Sequence, residues 1–526
     1  MTSDRSPPAR CRTGLARCMG SPCRPKASWS EKPSGSSLGP STSLSRRCQE
    51  CSRRASGSSC GCAPMPERAA IKQSRLGRGA ALARLALRIG GRYAARSPWL
   101  VFASAERKRD LRHDLAFRSA EEVAEELGSM KGALMKLGQM ASYIDEDLPP
   151  RFRATMARLQ HSAPPMDPAL ARSVIVQQLG GGPERIFERW DPLPIAAASI
   201  GQVHRAITRD GRAVAVKVQY PGIARSITSD LRNVALLRRV AAAAFPGLDA
   251  TALIEELGER LRDEVDYVLE AENQELFASY YQGHPFIHVP HVVKELSTSR
   301  VLTSELVTGS RFDETREWSQ HERDLAAETI HRFVQRSLYR LHAFNGDPHP
   351  GNYLFHGKGR VSFLDFGLTK HFTEEDLAPL VDALRFLVFE RDGEGFRAAL
   401  ERAGFLRPGA PVPTSTVVDR FGHFYGTVLR DEPMTITPEY ASAIVRRFFD
   451  AGGPLAPYSD VPRAYVVLQR INIGLYAVLG SLNATANWRR IGEEMWPFVN
   501  GPASTPMGEA DAEWEGRKER SLVRTA

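Results

Sequence analysis

The chain has 526 residues, a formal net charge of +9 and 42% hydrophobic residues, which suits a globular protein long enough for more than one domain. The sequence contains no run of eighteen uncharged apolar residues, so we expect no membrane-spanning helix. Nearly all of the excess positive charge lies in the first 64 residues. The remainder is close to neutral, and the basic composition therefore does not predict nucleic-acid binding by the folded part.

Residues 1–64 form a leader whose composition differs from that of the rest of the chain. They hold eleven Lys or Arg, three Asp or Glu and all seven cysteines, among many Ser, Pro and Gly. This composition predicts disorder, and the cysteine spacing fits no common zinc site. Two alternatives stand here: the leader is a transit peptide, or Met65 begins the functional polypeptide and the leader is dispensable.

Residues 65–167 are predicted to form a helical extension. Between Glu67 and Leu100, arginines are mixed with Leu, Ile and Ala, which fits either a basic helix on an anionic membrane or a helix packed on the core. Residues 120–143 have apolar side chains at helical spacing, with acidic residues early and lysines later. Taken alone, the polar residues of the KLGQ segment in this second helix fit a solvated helix face.

A run of small residues, PIAAASIGQVHRA (Pro194–Ala206), leads into the first strand pattern of a small lobe predicted over residues 168–309. Small residues allow backbone N–H groups to approach phosphate oxygens closely. Alanine adopts positive φ less readily than glycine, so this loop should be stiffer than a glycine-rich one. Its candidate nucleotide-binding residues are Ala196, Ala197, Ala198, Ser199, Gly201 and Gln202.

The segment GRAVAVKVQYPG alternates apolar and polar residues around Lys217 and predicts a strand that presents this ammonium group. A solvated strand lysine would explain Lys217 equally well if the segment stood alone. Downstream, Ile254–Phe277 has helical periodicity and several carboxylates, one of which should pair with Lys217. The segment Val301–Gly309 predicts the last strand of the small lobe and a hinge, where Glu305, Leu306 and Val307 would offer backbone groups to adenine.

Asp347, Asn352 and Asp365 have the spacing by which a kinase-like fold brings metal- and phosphate-handling groups together. They lie in the segments FNGDPHPGN and FLDFG. Nucleotide phosphates require Mg²⁺, which prefers hard oxygen ligands such as a carboxylate and an amide carbonyl. We therefore expect Asp365 and Asn352 to bind metal and Asp347 to face the acceptor oxygen.

The sequence after Asp365 argues against a protein kinase. A new amphipathic helix should begin almost at once, with Thr373 and Asp376 as a capping box, which leaves no activation segment to hold a peptide. The large lobe, residues 310–502, is predicted to be mainly helical, with Tyr465–Trp488 as a buried helix. Residues 503–526 are predicted to be a loose charged tail.

Together these segments resemble the UbiB (AarF) family of atypical kinase-like proteins over roughly residues 100–500. The resemblance rests on KLGQ, on the alanine loop AAAS, on EVD (Glu264–Asp266), and on DPHPGN followed by DFG. It implies an α+β, protein-kinase-like two-lobed fold with the helical N-terminal extension packed over the active site. It also implies that Lys217 pairs with Glu270, and that access to the site is regulated by Lys136, Gly138, Gln139, Glu264 and Asp266.

The function implied by the resemblance is that of an atypical kinase-like ATPase that binds Mg-ATP or Mg-ADP. It would support ubiquinone or related isoprenoid-lipid metabolism from the cytoplasmic side of a membrane, bound peripherally to an anionic surface. The catalytic residues would be Lys217, Glu270 and Asp347. Two alternatives stay open: a small-molecule phosphotransferase of the aminoglycoside-kinase type, which shares a GD-x-HPGN loop, and a nucleotide-dependent scaffold without enzymatic activity.

Overall fold

The computed structural model of the protein describes residues 166–198, 200–223, 265–346, 348–449, 454–459 and 462–525, all within one compact unit, Arg68–Ala526. The predicted leader and nearly all of the predicted helical extension lie outside these ranges, as do Lys136, Gly138, Gln139, Ser199, Glu264 and Asp347. In the described ranges the chain forms a small and a large lobe, each with its own hydrophobic core. None of the helices in these ranges is long and apolar enough to cross a membrane.

The first five strands, β1 to β5, comprise in chain order Phe187–Ala197, Gly201–Thr208, Ala213–Gln219, Ile287–His288 and Val301–Glu305. The small lobe is built on four of them, which form an antiparallel sheet in the order β1–β2–β3–β5. Strand β4 belongs to another sheet. In β3 the alternate residues Val214, Val216 and Val218 are buried, which confirms the predicted alternation. Lys217 therefore points to the opposite face of the sheet.

Two helices pack on this sheet. Helix α1 (Pro168–Leu179) begins where the Asp167 carboxylate accepts a hydrogen bond from the Ala169 N–H, and it ends at Gly180, whose φ of +74° suits glycine. Helix α2 (Tyr267–Tyr280) carries Glu270 in its first turn. A single turn, Pro183–Ile186, connects α1 to β1.

The start of α2 differs from the predicted helix over Ile254–Phe277. Asp266 is extended rather than helical, and its carboxylate accepts hydrogen bonds from the N–H groups of Val268 and Leu269. Asp266 is therefore the N-cap of α2, and it lies outside the helix that carries Glu270. A short carboxylate satisfies free N–H groups best at a helix start, and this local preference prevails over the apolar periodicity.

The large lobe is centred on helix α3 (Gln320–Tyr339), in which Ala327, Ile330 and Arg332 are fully buried. Short strands β6 (Ala343–Asn345), β7 (Tyr353–Phe355), β8 (Val361–Phe363) and β9 (Thr369–His371) follow it. They form a β4–β8–β7 sheet and a β6–β9 pair. The next elements are α4 (Glu374–Leu384), α5 (Gly393–Ala403), α6 (Thr414–Phe421), β10 (Met434–Ile436), α7 (Pro438–Phe449), α8 (Arg463–Leu482), β11 (Ala484–Ala486), α9 (Trp488–Glu493) and α10 (Pro506–Thr525).

The predicted buried helix over Tyr465–Trp488 is α8, but it ends earlier than predicted. Ile471, Leu479 and other apolar residues of its inner face are fully buried, as their periodicity indicates. The helix stops at Leu482 because Asn483 adopts a left-handed conformation, with φ of +51°, and β11 then pairs with β10. Asparagine is one of the few non-glycine residues that adopt this conformation readily.

The prediction of a loose tail over residues 503–526 is wrong for most of its length, because Pro506–Thr525 forms helix α10. Met507, Asp511 and Trp514, spaced three or four residues apart, are buried against the large lobe. The high charge of the segment suggested a solvated chain. Asp511 is instead buried against two arginines of α3, and this ion pairing could not be seen in the tail sequence alone.

Candidate active site

The predicted ion pair between Lys217 and Glu270 is present. Lys217 Nζ on β3 donates hydrogen bonds to both carboxylate oxygens of Glu270 on α2, at 2.7 and 2.8 Å. The Glu270 side chain is 2% exposed and that of Lys217 15% exposed, so the pair is largely shielded from water. Helix α2 is thus positioned by a buried two-oxygen contact with the central strand of the sheet.

Asp365 also lies close to the Lys217 ammonium group. Its Oδ2 is 3.7 Å from Lys217 Nζ, and one third of its side chain is exposed. Burial opposes the charge on Lys217, but the carboxylates of Asp365 and Glu270 outweigh burial and raise its pKa well above the usual value. The lysine is therefore a permanent cation that faces a partly open carboxylate.

Asp365 is held by one hydrogen bond to its backbone and one to its side chain. The Asn345 side chain donates a hydrogen bond from Nδ2 to the Asp365 carbonyl oxygen, at 2.5 Å. The Asp365 side chain in turn accepts one from the Gly367 N–H at 3.1 Å. Phe366, between them, is fully buried and packs on Phe277 of α2 with ring centroids 4.8 Å apart. The DFG turn (Asp365–Gly367) is thus tied to α2 and to residues 345–352, which we call the catalytic loop after their predicted role.

Asn352 is brought close to Asp365 through the backbone. It ends a short 3-10 turn, Pro350–Asn352, in which its N–H donates to the His349 carbonyl oxygen at 2.9 Å. The Asn352 carbonyl oxygen accepts from the N–H of Leu364, the residue before Asp365, at 3.0 Å. Asp347 begins the same loop but lies outside the described residues.

The donor chemistry of Asn352 and Asp365 fits Mg²⁺. A carboxylate and an amide carbonyl are hard oxygen ligands, and Mg²⁺ in nucleotide sites takes one or two protein ligands and completes its shell with phosphate and water oxygens. The described part of the chain holds no group of three or more His, Cys, Asp or Glu residues arranged for a metal. A dedicated all-protein metal cage is therefore absent from that part, and a nucleotide-dependent site needs none.

The alanines of the predicted phosphate loop lie at the turn that joins β1 to β2. Ala196 pairs with Val203 and Ala197 with Gln202, and Ala198 and Gly201 exchange backbone hydrogen bonds around the turn. Ala196 and Ala197 are exposed. This end of the hairpin is next to the start of β2, whose partner strand β3 carries Lys217.

Gly201 and Gln202 are buried inside the small lobe. A Cβ atom at Gly201 would be 2.4 Å from the Val218 carbonyl oxygen, so no larger residue fits there. The Gln202 side chain is 1% exposed; it accepts from the Met166 N–H at 2.8 Å and contacts His204. The prediction that Gln202 binds nucleotide is therefore wrong for its side chain. This side chain is buried, and its hydrogen bonds hold the small lobe together around β2.

At the hinge, only part of the backbone faces away from the sheet. The Leu306 N–H donates to the Ala213 carbonyl oxygen at 3.0 Å, so Leu306 extends the β3–β5 ladder. The Glu305 carbonyl belongs to the same trans peptide unit as the Leu306 N–H and therefore points away from β3. Of the three residues predicted to contact adenine, Leu306 cannot use its N–H for this purpose, because that group is paired with Ala213 of β3.

A cavity of about 250 Å³ also borders the hinge, but it is not the candidate site. It is lined by Glu305, Leu306, Val307 and Thr308 together with His288, His356, Arg360 and Ser362 of the β4–β8–β7 side. Lys217, Asn352 and Asp365 are not among the lining residues.

Sequence reasoning missed two contacts that shape the catalytic loop. Gly346 donates from its N–H to the Leu368 carbonyl oxygen at 2.6 Å, and a Cβ atom there would be 2.3 Å from that oxygen. Gly474 of α8 packs against Pro348, where an added Cβ would be 2.3 Å from the proline ring. A glycine within a long apolar helix is the signal that could have revealed the second contact.

The predicted absence of an activation segment is confirmed. Only eight residues separate Asp365 from Glu374, the first residue of α4, and they include strand β9. Thr373 and Asp376 form the predicted capping box, in which each side chain accepts from the other's backbone N–H. Between Asp365 and α4 the described residues therefore form no shelf on which a peptide substrate would lie.

Comparison with known proteins gives a consistent result. The family model of the ABC1 atypical kinase-like domain matches residues 158–399. The chain is 36% identical over 280 residues to the probable serine/threonine-protein kinase abkA of Dictyostelium discoideum, covering 49% of this chain and 48% of that protein. It is 35% identical over 259 residues to the mitochondrial atypical kinase COQ8B of Rattus norvegicus, covering 49% of each.

The mitochondrial atypical kinase COQ8 of Saccharomyces cerevisiae is 30% identical over 294 residues, covering 56% of this chain and 58% of the yeast protein. The matched part of the chain thus spans about half the length of these curated relatives. Among solved structures, the Rv3197–erythromycin complex of Mycobacterium tuberculosis is similar, with a TM-score of 0.54 and 29% identity. The likeness covers 75% of this chain and all of that one.

Proposed function

Because the chain belongs to the UbiB family and contains an ABC1 atypical kinase-like domain, we propose that it is a Mg-nucleotide-dependent ATPase that acts at a membrane surface. The observation that supports this proposal most directly is the position of Lys217. Its ammonium group is held by Glu270 at 2.7 Å and faces Asp365 at 3.7 Å. A fixed cation next to an open carboxylate is the arrangement that nucleotide phosphates and their metal require.

Each described residue has a definite task in this proposal. Lys217 binds the α- and β-phosphates, and Glu270 fixes the direction of its ammonium group. Asp365 and Asn352 would hold Mg²⁺, which neutralises phosphate charge when bound. The exposed Ala196 and Ala197 backbone covers the phosphates, and the Glu305 carbonyl and Val307 N–H receive the adenine ring.

Asp347 completes the proposed reaction. Its carboxylate orients a water molecule and accepts a proton from it as the water oxygen attacks the γ-phosphorus. The bond between the γ-phosphorus and its bridging oxygen breaks, and ADP leaves with phosphate as the second product. The missing peptide shelf favours water or a small hydroxyl group over a protein as the acceptor.

The lipid part of the proposal rests on the relatives. Two of them are named mitochondrial atypical kinases of the COQ8 type, which supports a role in ubiquinone or related isoprenoid-lipid metabolism. The basic segment Glu67–Leu100 is the proposed contact with an anionic membrane surface, bound peripherally from the cytoplasmic side.

The deciding experiment measures ATP hydrolysis by the full chain, with and without anionic liposomes, for the wild type and for Asp365→Asn. The variant keeps the size of the side chain but removes the charge that faces the metal. We expect lipid-stimulated turnover in the wild type and a loss on the order of a hundredfold in the variant. Equal turnover in both proteins would refute the proposed metal ligand.

A second candidate function is phosphorylation of a small hydroxyl compound. The similar Mycobacterium tuberculosis structure was solved with erythromycin, a molecule with several hydroxyl groups. Incubation of the full chain with Mg-ATP and erythromycin, followed by mass spectrometry, tests this function. A phosphorylated product formed faster than free phosphate would favour the phosphotransferase over the ATPase.

A further inference from the structure

Helix α10, at the end of the chain, packs on the end of α2 that lies farthest from the candidate site. The Trp514 side chain is 3% exposed and contacts the rings of Tyr280, Tyr281 and His284, with centroids 6.2, 6.4 and 4.6 Å away. One residue of α10 thus fills the notch between the last turn of α2 and the loop that follows it.

Helix α10 also binds the backbone carbonyl groups at this end of α2. The Trp514 indole N–H donates to the Gln282 carbonyl oxygen at 3.0 Å, and Lys518 Nζ donates to the Tyr280 carbonyl oxygen at 2.7 Å. The last carbonyl groups of a helix have no partner within the helix, and a cation there interacts favourably with the helix dipole. Lys518 therefore binds the last carbonyl group of α2, and Trp514 binds the loop two residues beyond the end of the helix.

Asp511 fixes α10 itself to the large lobe. The residue is 2% exposed, and its Oδ2 accepts hydrogen bonds from Arg332 at 3.2 Å and Arg336 at 3.0 Å, both on α3. Its Oδ1 is 2.6 Å from His284 Nε2. His284 Nδ1 accepts from two backbone N–H groups, at 3.2 and 3.1 Å, so the ring proton belongs on Nε2, facing Asp511.

The end of α2 also contacts α3 directly. Tyr281 Oη is 2.8 Å from Ser337 Oγ, and Phe277 packs on Phe333. Helix α10 therefore adds to an existing anchor, so we expect its loss to loosen α2 rather than to unfold it.

The two ends of α2 have different tasks. Glu270 lies ten residues before Tyr280, which is about 15 Å along a helix. A shift of the end held by α10 would change the angle of α2 and would move the Glu270 carboxylate relative to Lys217. We propose that Trp514 is a positioning residue, which holds α2 at the angle where Glu270 meets Lys217, with Asp511 fixing α10 for this purpose.

This inference rests on the proposed function for its activity test, but hydrogen exchange tests it independently. The test compares the wild type, Trp514→Ala and the control Glu513→Ala in the full chain. Glu513 is the neighbouring residue; it is largely exposed, and within the described ranges it is paired with Arg517 on the same helix face. We expect Trp514→Ala to increase amide exchange in the first two turns of α2 and to lower ATP turnover about tenfold. Glu513→Ala should match the wild type in both.

A double-mutant cycle separates positioning from general stability. In the Glu270→Gln background the ion pair is already lost, so adding Trp514→Ala should lower turnover by less than about twofold. A full tenfold loss in that background would overturn the proposal. So would a lower thermal midpoint with unchanged turnover and unchanged exchange in α2.

Trp514→Phe is the second variant, to be used if Trp514→Ala does not fold. It keeps an aromatic ring but removes the indole N–H, and it should show the same exchange pattern with a smaller amplitude. Faster exchange in α2 without any nucleotide turnover in the wild type would support the mechanical coupling and refute the proposed ATPase.

Discussion

Asn345 donates its side-chain N–H to the carbonyl oxygen of Asp365 at 2.5 Å, and this bond joins the catalytic loop to the DFG turn. Asn345 stands where protein kinases have the histidine of their HRD motif. The amide thus supplies a donor to the residue that would bind metal. Asparagine in place of histidine changes the hydrogen-bond donor, but it keeps a link between the catalytic loop and the DFG turn.

Replacing Asn345 should lower turnover by misplacing Asp365. In Asn345→Ala the donor is lost, and we expect about a tenfold decrease in ATP turnover. Asn345→Asp should be worse, because a carboxylate would face the carbonyl oxygen. Asn345→His is the matched control, since an imidazole N–H can donate, and it should recover part of the activity. Steady-state kinetics on the three variants check the order, and equal rates in all of them would contradict it.

The contact between Gly474 and Pro348 predicts a second effect on the catalytic loop. Alanine in place of glycine normally favours a helix by about 1 kcal/mol. Here the new Cβ would lie 2.3 Å from the Pro348 ring, so the loop that holds Asp347 must shift. We expect Gly474→Ala to lower turnover at least about tenfold while the protein stays folded.

Circular dichroism and ATPase assays on Gly474→Ala check this prediction. Ser481→Ala, an exposed position on the same helix, is the control and should keep wild-type activity. Full activity in Gly474→Ala would show that the loop tolerates the shift.

Removing Lys217 should reduce stability as well as activity. In Lys217→Met the Glu270 carboxylate, 2% exposed, loses the two hydrogen bonds from Lys217 Nζ, and breaking a buried ion pair costs about 3–5 kcal/mol. Adding Glu270→Gln removes that charge, so the double variant should recover much of the stability while staying inactive. Urea denaturation of the single and double variants measures this difference. A double variant no more stable than Lys217→Met would contradict the prediction.

His331 predicts a pH dependence of stability. It is buried in α3 against Trp488, and burial, with the nearby Arg332 charge second, lowers its pKa to about 3. The unfolded chain binds the proton near pH 6.5 and the folded chain does not, so stability falls as the pH drops below 6.5. The slope from this group is about 1.4 kcal/mol per pH unit.

In the variant His331→Leu, the free energy of unfolding should depend less steeply on pH, because the contribution of His331 is lost. Denaturation at about pH 7.5 and about pH 5 compares it with the wild type. Burial also lowers the pKa of His284, but this residue is present in both proteins, so the difference isolates His331. An identical slope in both proteins would contradict the assignment.

The sequence predicted the parts of the site that depend on local patterns. The β3 alternation and the capping box at Thr373 follow from local spacing, whereas the pairing of Lys217 with Glu270, 53 residues later, was implied by the family resemblance. The N-cap position of Asp266 was missed because a carboxylate near a helix start fits both a cap and a helix face.

The remaining errors come from contacts between distant parts of the chain. Helix α10 forms because Asp511 meets two arginines about 175 residues earlier, which charge composition in the tail cannot reveal. The Gln202 side chain was assigned to nucleotide because its loop is adjacent to the strand of Lys217, yet its partner is the Met166 backbone. The packing of Gly474 on Pro348 is likewise a tertiary contact.

In the proposed site, Lys217, Asn352 and Asp365 together bind a magnesium-loaded adenine nucleotide. Titration calorimetry of the full chain with ADP, with and without Mg²⁺, measures this binding. We predict binding that requires Mg²⁺ in the wild type and is weakened at least about tenfold in Asp365→Asn. A folded wild-type protein that takes up no nucleotide in the presence of Mg²⁺ would contradict the claim.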